Sequence, residues 1–197
     1  MSVLARLGMP AFKAGGVPAI ADEDWRLEVA GLCESPAVYT LAQVAAWPQS
    51  QVDARLTSVS GFSLRALWQG VSWPDFLAIA RPTAQASHAT FVSWGGVYQT
   101  TVSLADLARP RTLLCLAVEG QALERVYGGP LRMIVPCLYG YKSAKWLAKI
   151  VFEDRMRGGY WEDRGYSRSG QIEPGWTFDL NTRQRRPIAG GGEVEEF

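Results

Sequence analysis

The sequence predicts an α+β fold, a mixed β-sheet core with short helices. Three observations lead there. Short stretches that alternate apolar and polar residues outnumber stretches with helical spacing. The two kinds are not regularly interleaved, which disfavours a doubly wound parallel sheet. The composition, 48% apolar and 20% charged over 197 residues, is that of an ordinary folded chain with one sizeable core.

In chain order, Gly15, Gly16 and Pro18 make an entry loop, and Trp25 to Ala30 (WRLEVA) alternates as a half-buried strand does. Leu41 to Trp47 reads as a short helix or turn ended by Pro48, and Asp53 to Ser60 as a strand running to Gly61. Trp73-Pro74-Asp75 followed by Phe76, Leu77, Ile79 and Ala80 reads as a helix with proline in its first turn, stopped by Pro82. Thr90 to Trp94 and Val97 to Val102 form a hairpin in which Gly95-Gly96 supplies the positive φ of the turn. Ser103 caps a turn of helix, and Thr112 to Val118 is a buried strand ending at Glu119-Gly120. Leu131 to Val135 is a strand, Lys142 to Ala148 a short helix or turn, and Lys149 to Glu153 the last strand. The tail is rich in glycine, aromatics and arginine, and its acidic end is expected to fray. No repeat or linker divides the chain, so residues 1–197 are expected to form a single domain with loose ends.

Several function classes drop out on totals. Twenty Lys and Arg against 19 Asp and Glu leave a formal charge of +1, so no global field draws in nucleic acid or an anionic membrane. The short arginine cluster from Arg183 to Arg186 reads as a solvated tail. No apolar run approaches the roughly 18 residues of a membrane span. The N-terminus lacks a sustained apolar signal region, giving a cytoplasmic expectation. The three cysteines, Cys33, Cys115 and Cys137, are widely spaced and form neither a disulfide framework nor a C-x-x-C site. His88, the one histidine, stands outside every motif and reads as structural.

One stretch concentrates the chemistry. After Pro136, an aromatic and glycine loop brings Lys142, Ser143 and Lys145 together in quick succession, three donors of which two are cationic. Backbone N–H groups at such a turn, with a serine hydroxyl, can hold a phosphate. Arg132 adds a planar fork suited to a phosphate or a ring carbonyl. Gly128-Gly129-Pro130 is a tight turn whose missing side chains would admit a ligand closely. For K-S-x-K alone, a solvated basic turn over Trp146 and Leu147 is the better account of the pattern.

The surrounding block separates those readings. Tyr127-Gly-Gly-Pro-Leu-Arg-Met-Ile-Val-Pro, followed by Cys137-Leu-Tyr-Gly-Tyr-Lys-Ser-Ala-Lys-Trp-Leu, resembles the signature of the oxidoreductase molybdopterin-binding domain of the sulfite oxidase family. Trp25 to Leu32 resembles that family's opening strand, and Ser58-Val-Ser-Gly-Phe-Ser with Trp68-Gln-Gly-Val-Ser-Trp its metal-ligand loop and the segment after it. Gly159-Tyr-Trp-Glu-Asp-Arg-Gly-Tyr resembles its closing motif. The four matches run in family order over roughly residues 20 to 170.

The resemblance implies a molybdopterin, or molybdenum cofactor, bound through Arg132, Lys142, Ser143 and Lys145, with Gly128 and Gly129 close to the pterin and Tyr139 near the pocket. It places Ser58 where the family has the cysteine that ligates molybdenum, exchanging a soft thiolate for a harder oxygen. Tyr127 stands at the usual histidine before Gly128, and Cys137 at a position often histidine. Phe62, Ser63 and Leu64 replace the arginine-rich segment that helps bind sulfite, which argues against that substrate. No heme-binding histidine pair accompanies the motifs, so electrons are expected from a separate partner. Two functions stay open: an oxidoreductase acting on an unidentified small molecule, with Ser58 or Tyr139 as catalytic candidates, or a non-catalytic binding or scaffold protein that keeps the fold without the metal ligand.

Overall fold

Alternation and capping place most of the elements. Strand β1 (Arg26–Gly31) buries Leu27 and Val29 and turns its polar residues outward. It is followed by β2 (Ala37–Thr40), where Thr40 and Gln43 form a reciprocal capping box that starts α2 (Leu41–Ala45). Next come β3 (Ser50–Thr57) and the ten-residue β4 (Ser63–Ser72). Helix α3 (Trp73–Ala80) begins at a Ser72 hydroxyl that accepts from Asp75 N, carries proline in its first turn, and ends on Arg81 at φ +47°. The hairpin β5 (His88–Ser93) and β6 (Gln99–Ser103) turns through Gly95 and Gly96 at φ +77° and +72°. Helix α4 (Leu104–Leu107), β7 (Leu113–Val118), β8 (Gln121–Ala122), β9 (Arg132–Ile134) and β10 (Leu147–Glu153) complete the core.

This computed structural model describes residues 2–11, 16–60 and 62–172, with two further strands, β11 (Trp176–Asp179) and β12 (Gln184–Pro187), that pair antiparallel. The acidic terminus expected to fray lies outside the described residues, as do Gly15 and Gly61. An earlier four-residue helix, α1 (Val3–Arg6), opens the chain under a Ser2 cap.

The strands form two five-stranded sheets. The first has the order β2-β1-β10-β5-β6, with β1 and β10 parallel and the other pairs antiparallel. The second runs β3-β4-β7-β8, with β9 also on β7, and is antiparallel throughout. The mixed β-sheet core expected from the sequence thus consists of two sheets, of which the first is mixed. The larger core lies between them, built on Trp73, Phe76, Phe91 and Phe152. A second core covers the opposite face of the second sheet. Strand β7 serves both, with Leu114 in the first and Leu113 and Cys115 in the second. That double burial explains its unbroken apolar sequence.

Two other expectations change. Residues 142–148 do not form a helix: a 3-10 turn at Gly140–Lys142 is followed by extended chain. Ala144 O accepts from Met133 N at 2.8 Å and Leu147 N donates to Leu131 O at 2.8 Å, so pairing with the β9 segment outcompetes the local helix. Strand β4, unassigned from sequence, is held on both sides by β3 and β7. Trp68 is one of its core side chains and is fully buried.

Candidate functional site

The β9 segment and the two turns flanking it make one unit. Gly128, at φ +109°, sits so close to Lys145 that a Cβ there would lie 2.8 Å from Lys145 Cγ. Its carbonyl accepts from Trp146 N at 3.0 Å, and the Trp146 ring donates to Arg125 O at 2.6 Å. At Gly129 a Cβ would lie 2.0 Å from Leu123 O, and its own N–H donates to Glu124 O. Both glycines are thus required by close backbone packing, and the packing lays the turn alongside Lys145.

The four donors named from sequence fall into different roles. Arg132 is buried, donating to Tyr127 O at 2.8 Å, Ser143 O at 3.3 Å and Met133 O at 3.3 Å. Ser143 accepts from Val135 N at 3.0 Å through its hydroxyl. Lys142 is fully enclosed, and its ammonium donates to Glu162 Oε1 at 2.5 Å and Thr101 O at 2.9 Å. The Arg132 and Lys142 donors thus bind protein groups, as burial demands, and the Ser143 hydroxyl accepts from the backbone of the strand. They form the frame of the turn.

Lys145 is half-buried and differs from the other three. Burial, with the neighbouring Arg132 charge, pushes its ammonium down to about 7. The Nζ lies 4.7 Å from the Trp146 ring centroid, and its backbone carbonyl accepts from Ser93 Oγ at 2.5 Å. An ammonium held beside a buried guanidinium gains most from an added anion, which would favour the charged form.

At the other end, Ser58 is half-buried just beyond β3, where its N–H donates to Phe62 O at 2.8 Å and its hydroxyl pairs with Ser60 Oγ at 2.8 Å. A Cβ on Gly140 would lie 3.4 Å from Thr57 O, so the Tyr139 to Ser143 turn rests directly on the residue before Ser58. Val59 packs with Tyr139, Tyr141, Ile172, Trp161 and Tyr166. Tyr139 therefore stands beside the Ser58 loop.

No thiol replaces the missing one. Cys137 is buried against α4, its sulfur 3.6 Å from Asp106 O, and burial pushes it up to about 11. Cys115 lies in the second core, also pushed up to about 11, and Cys33 is buried as well. Among the described residues no group of three His, Cys, Asp or Glu side chains gathers where it could hold a metal ion.

Glu162 was not singled out from sequence, although it lies in the closing motif. Its Oε1 also accepts from Thr100 Oγ1 at 2.5 Å, while Oε2 has no hydrogen-bond partner among the described residues. A buried lysine in a turn is the signal that would have called for such a carboxylate.

The family model for the oxidoreductase molybdopterin binding domain matches residues 14–161. The chain belongs to that family. Its molybdopterin-binding domain is 34% identical over 163 residues to the uncharacterized oxidoreductase YuiH of Bacillus subtilis, covering 82% of each chain. It is 34% identical over 143 residues to the putative protein-methionine-sulfoxide reductase subunit YedZ1 of Azospira oryzae, covering 73% of this chain and 54% of that one. It is 32% identical over 167 residues to the protein-methionine-sulfoxide reductase catalytic subunit MsrP of Burkholderia mallei, covering 77% and 50%. The chain thus spans about half the length of those two reductase proteins. The sulfane dehydrogenase SoxCD of Paracoccus pantotrophus shares the fold, with a TM-score of 0.69 at 17% identity over 87% of this chain and 46% of that one.

The cofactor class implied by the motifs is that of the molybdopterin-binding family. The residues present fit its anion end, where a side-chain-free turn adjoins a half-buried ammonium. The metal end offers the oxygen of Ser58 and no thiol. Among the described residues no helix is long and apolar enough to cross a membrane.

Proposed function

We propose that this chain is the molybdopterin-binding domain of an oxidoreductase that reduces a sulfoxide, with methionine sulfoxide as the substrate class. The observation that carries the cofactor half is Lys145, a half-buried ammonium that the Gly128 turn and Arg132 hold in a setting favouring an anion. The substrate half rests on relatives named as protein-methionine-sulfoxide reductases.

When bound, the molybdenum cofactor supplies oxygen-atom transfer coupled to a two-electron change. Overall, a sulfoxide takes up two electrons and two protons and leaves as a thioether and water, with the electrons drawn from a separate partner. The chain's own residues perform the rest. Lys145 neutralises the phosphate of the pterin, and the glycine turn lets the backbone approach it. Arg132 and the Lys142–Glu162 pair hold that turn in place. Ser58 presents an oxygen donor at the metal end, and Val59, Tyr139 and Tyr141 form the apolar side that limits water there.

One observation favours a second reading, a pterin-binding protein without redox activity. All three thiols are buried, and the side chain at the family's ligand position is the Ser58 hydroxyl, a harder donor than a thiolate.

Protein purified from a host that makes the cofactor separates the two. Pterin and molybdenum per chain are measured by fluorescence after oxidation and by mass spectrometry, and methionine sulfoxide is supplied with a reduced viologen dye. Pterin with molybdenum and turnover of the sulfoxide supports the enzyme. Pterin without metal or turnover supports the binding protein, and absence of pterin removes both.

A further inference from the structure

Residues 2–11 lie outside the family match, yet Leu4 and Met9 among them are built into the second core. Ser2 caps the short helix α1 by accepting from Ala5 N at 3.1 Å, and Met9 N returns to Leu4 O at 2.9 Å. This fold-back turns Leu4 and Met9 inward, leaving them 2% and 7% exposed. They pack in the cluster that holds Leu56, Leu64 and Trp68 of the second sheet together with Tyr127. Val3 and Leu4 also line a small cleft with Val118, Glu124 and Tyr127.

Tyr127 is the residue before Gly128. Its carbonyl takes the Arg132 hydrogen bond at 2.8 Å, and Gly128 in turn is pressed against Lys145 and bonded to Trp146 N. The 125–129 turn is therefore joined to the core cluster of the N-terminal segment through Tyr127 and to Lys145-Trp146 through Gly128. The N-terminal contact comes from residues outside the family match.

We propose that residues 2–9 are a positioning strap: by seating Leu4 and Met9 in the core cluster that also holds Tyr127 they hold the Gly128 turn against Lys145 and so set the geometry of the anion end. The proposal rests on the reading of Lys145 as the anion anchor. If it is right, loosening the strap disturbs a turn more than 100 residues away in sequence while leaving the first core intact.

The test uses the full chain with Leu4→Ala, with Met9→Ala as the milder strap variant, and Val44→Ala as a control in the other core. Amide hydrogen exchange is followed at Tyr127, Gly128 and Gly129, and inorganic phosphate is titrated by calorimetry. The strap variants should raise exchange at those amides at least about tenfold and weaken phosphate binding several-fold, with the control moving neither. Unchanged exchange in both strap variants, or an equal rise in the control, overturns the strap. If phosphate fails to bind the parent protein while exchange responds as expected, the strap stands and the anion reading of Lys145 falls.

Discussion

The Lys142 ammonium lies 2.5 Å from Glu162 Oε1 with both side chains fully enclosed, so a turn expected to offer a cation to a ligand is instead bolted to the closing motif. Thr101 O and Thr100 Oγ1 complete the cage from β6. Removing one partner strands the other charge in a dry site. Lys142→Met and Glu162→Leu should each cost about 3–5 kcal/mol of stability in urea unfolding. The double variant should recover most of that loss. Additive losses in the double variant would show that the two side chains do not act as a pair.

Lys145 carries the opposite signature, because its ammonium is disfavoured where it stands. Its folded value of about 7 is below the ordinary lysine value of 10.5, so between those limits the unfolded chain binds more protons. Stability from this group therefore rises as pH increases from about 7 toward 10.5, and the penalty is fully present below 7. Lys145→Met should flatten that slope and raise the melting temperature at neutral pH, while weakening phosphate binding at least about tenfold. Thermal melts from pH 6 to 10, with a phosphate titration, check both. A loss of stability at pH 7 would contradict the assignment.

Phosphate affinity of the parent protein should also fall as pH rises through about 7, the direction expected when the binding group gives up its proton. Titration of the full chain at pH 6 and pH 8.5 measures it. Equal affinity at the two values would mean that Lys145 is not the anchor.

Gly128→Ala adds a methyl group where Lys145 Cγ would be 2.8 Å away, at a backbone φ of +109°. The substitution should destabilise the fold by about 1–3 kcal/mol and displace Lys145. Gly95→Ala, at φ +77° in an open hairpin turn with nothing within 4 Å, separates backbone strain from the Lys145 clash. A phosphate affinity lowered by Gly128→Ala but not by Gly95→Ala is the expected result.

Ser58→Cys changes one atom in a half-buried loop and should leave stability within about 1 kcal/mol of the parent, measured by urea unfolding. It should raise molybdenum per pterin and bring up a visible absorption band from thiolate to metal. If the parent already carries one molybdenum per pterin and the variant matches it in metal and spectrum, Ser58 is not the ligand position.

Sequence alone determined the short-range features. Alternation located β1, an unbroken apolar run located β7, prolines bounded α2 and α3, the Ser103 cap located α4, and Gly95-Gly96 located the hairpin turn. Each depends on neighbours a few residues apart, where spacing and stereochemistry decide. The order of the four motifs likewise placed the chain with the family that matches residues 14–161. Tertiary structure alone decided the setting of each cation in the signature block. Lys142, Arg132 and Lys145 look alike in a row of letters. Glu162 and Thr101, 20 and 41 residues from Lys142, take the first, and the carbonyls of Tyr127 and Ser143 take the second. Lys145 stands half-buried between the Gly128 turn and the Trp146 ring, with the Arg132 charge nearby. Burial forces each enclosed charge to find a partner wherever the fold brings one, and that pairing is set by distance in space, which the order of letters does not carry.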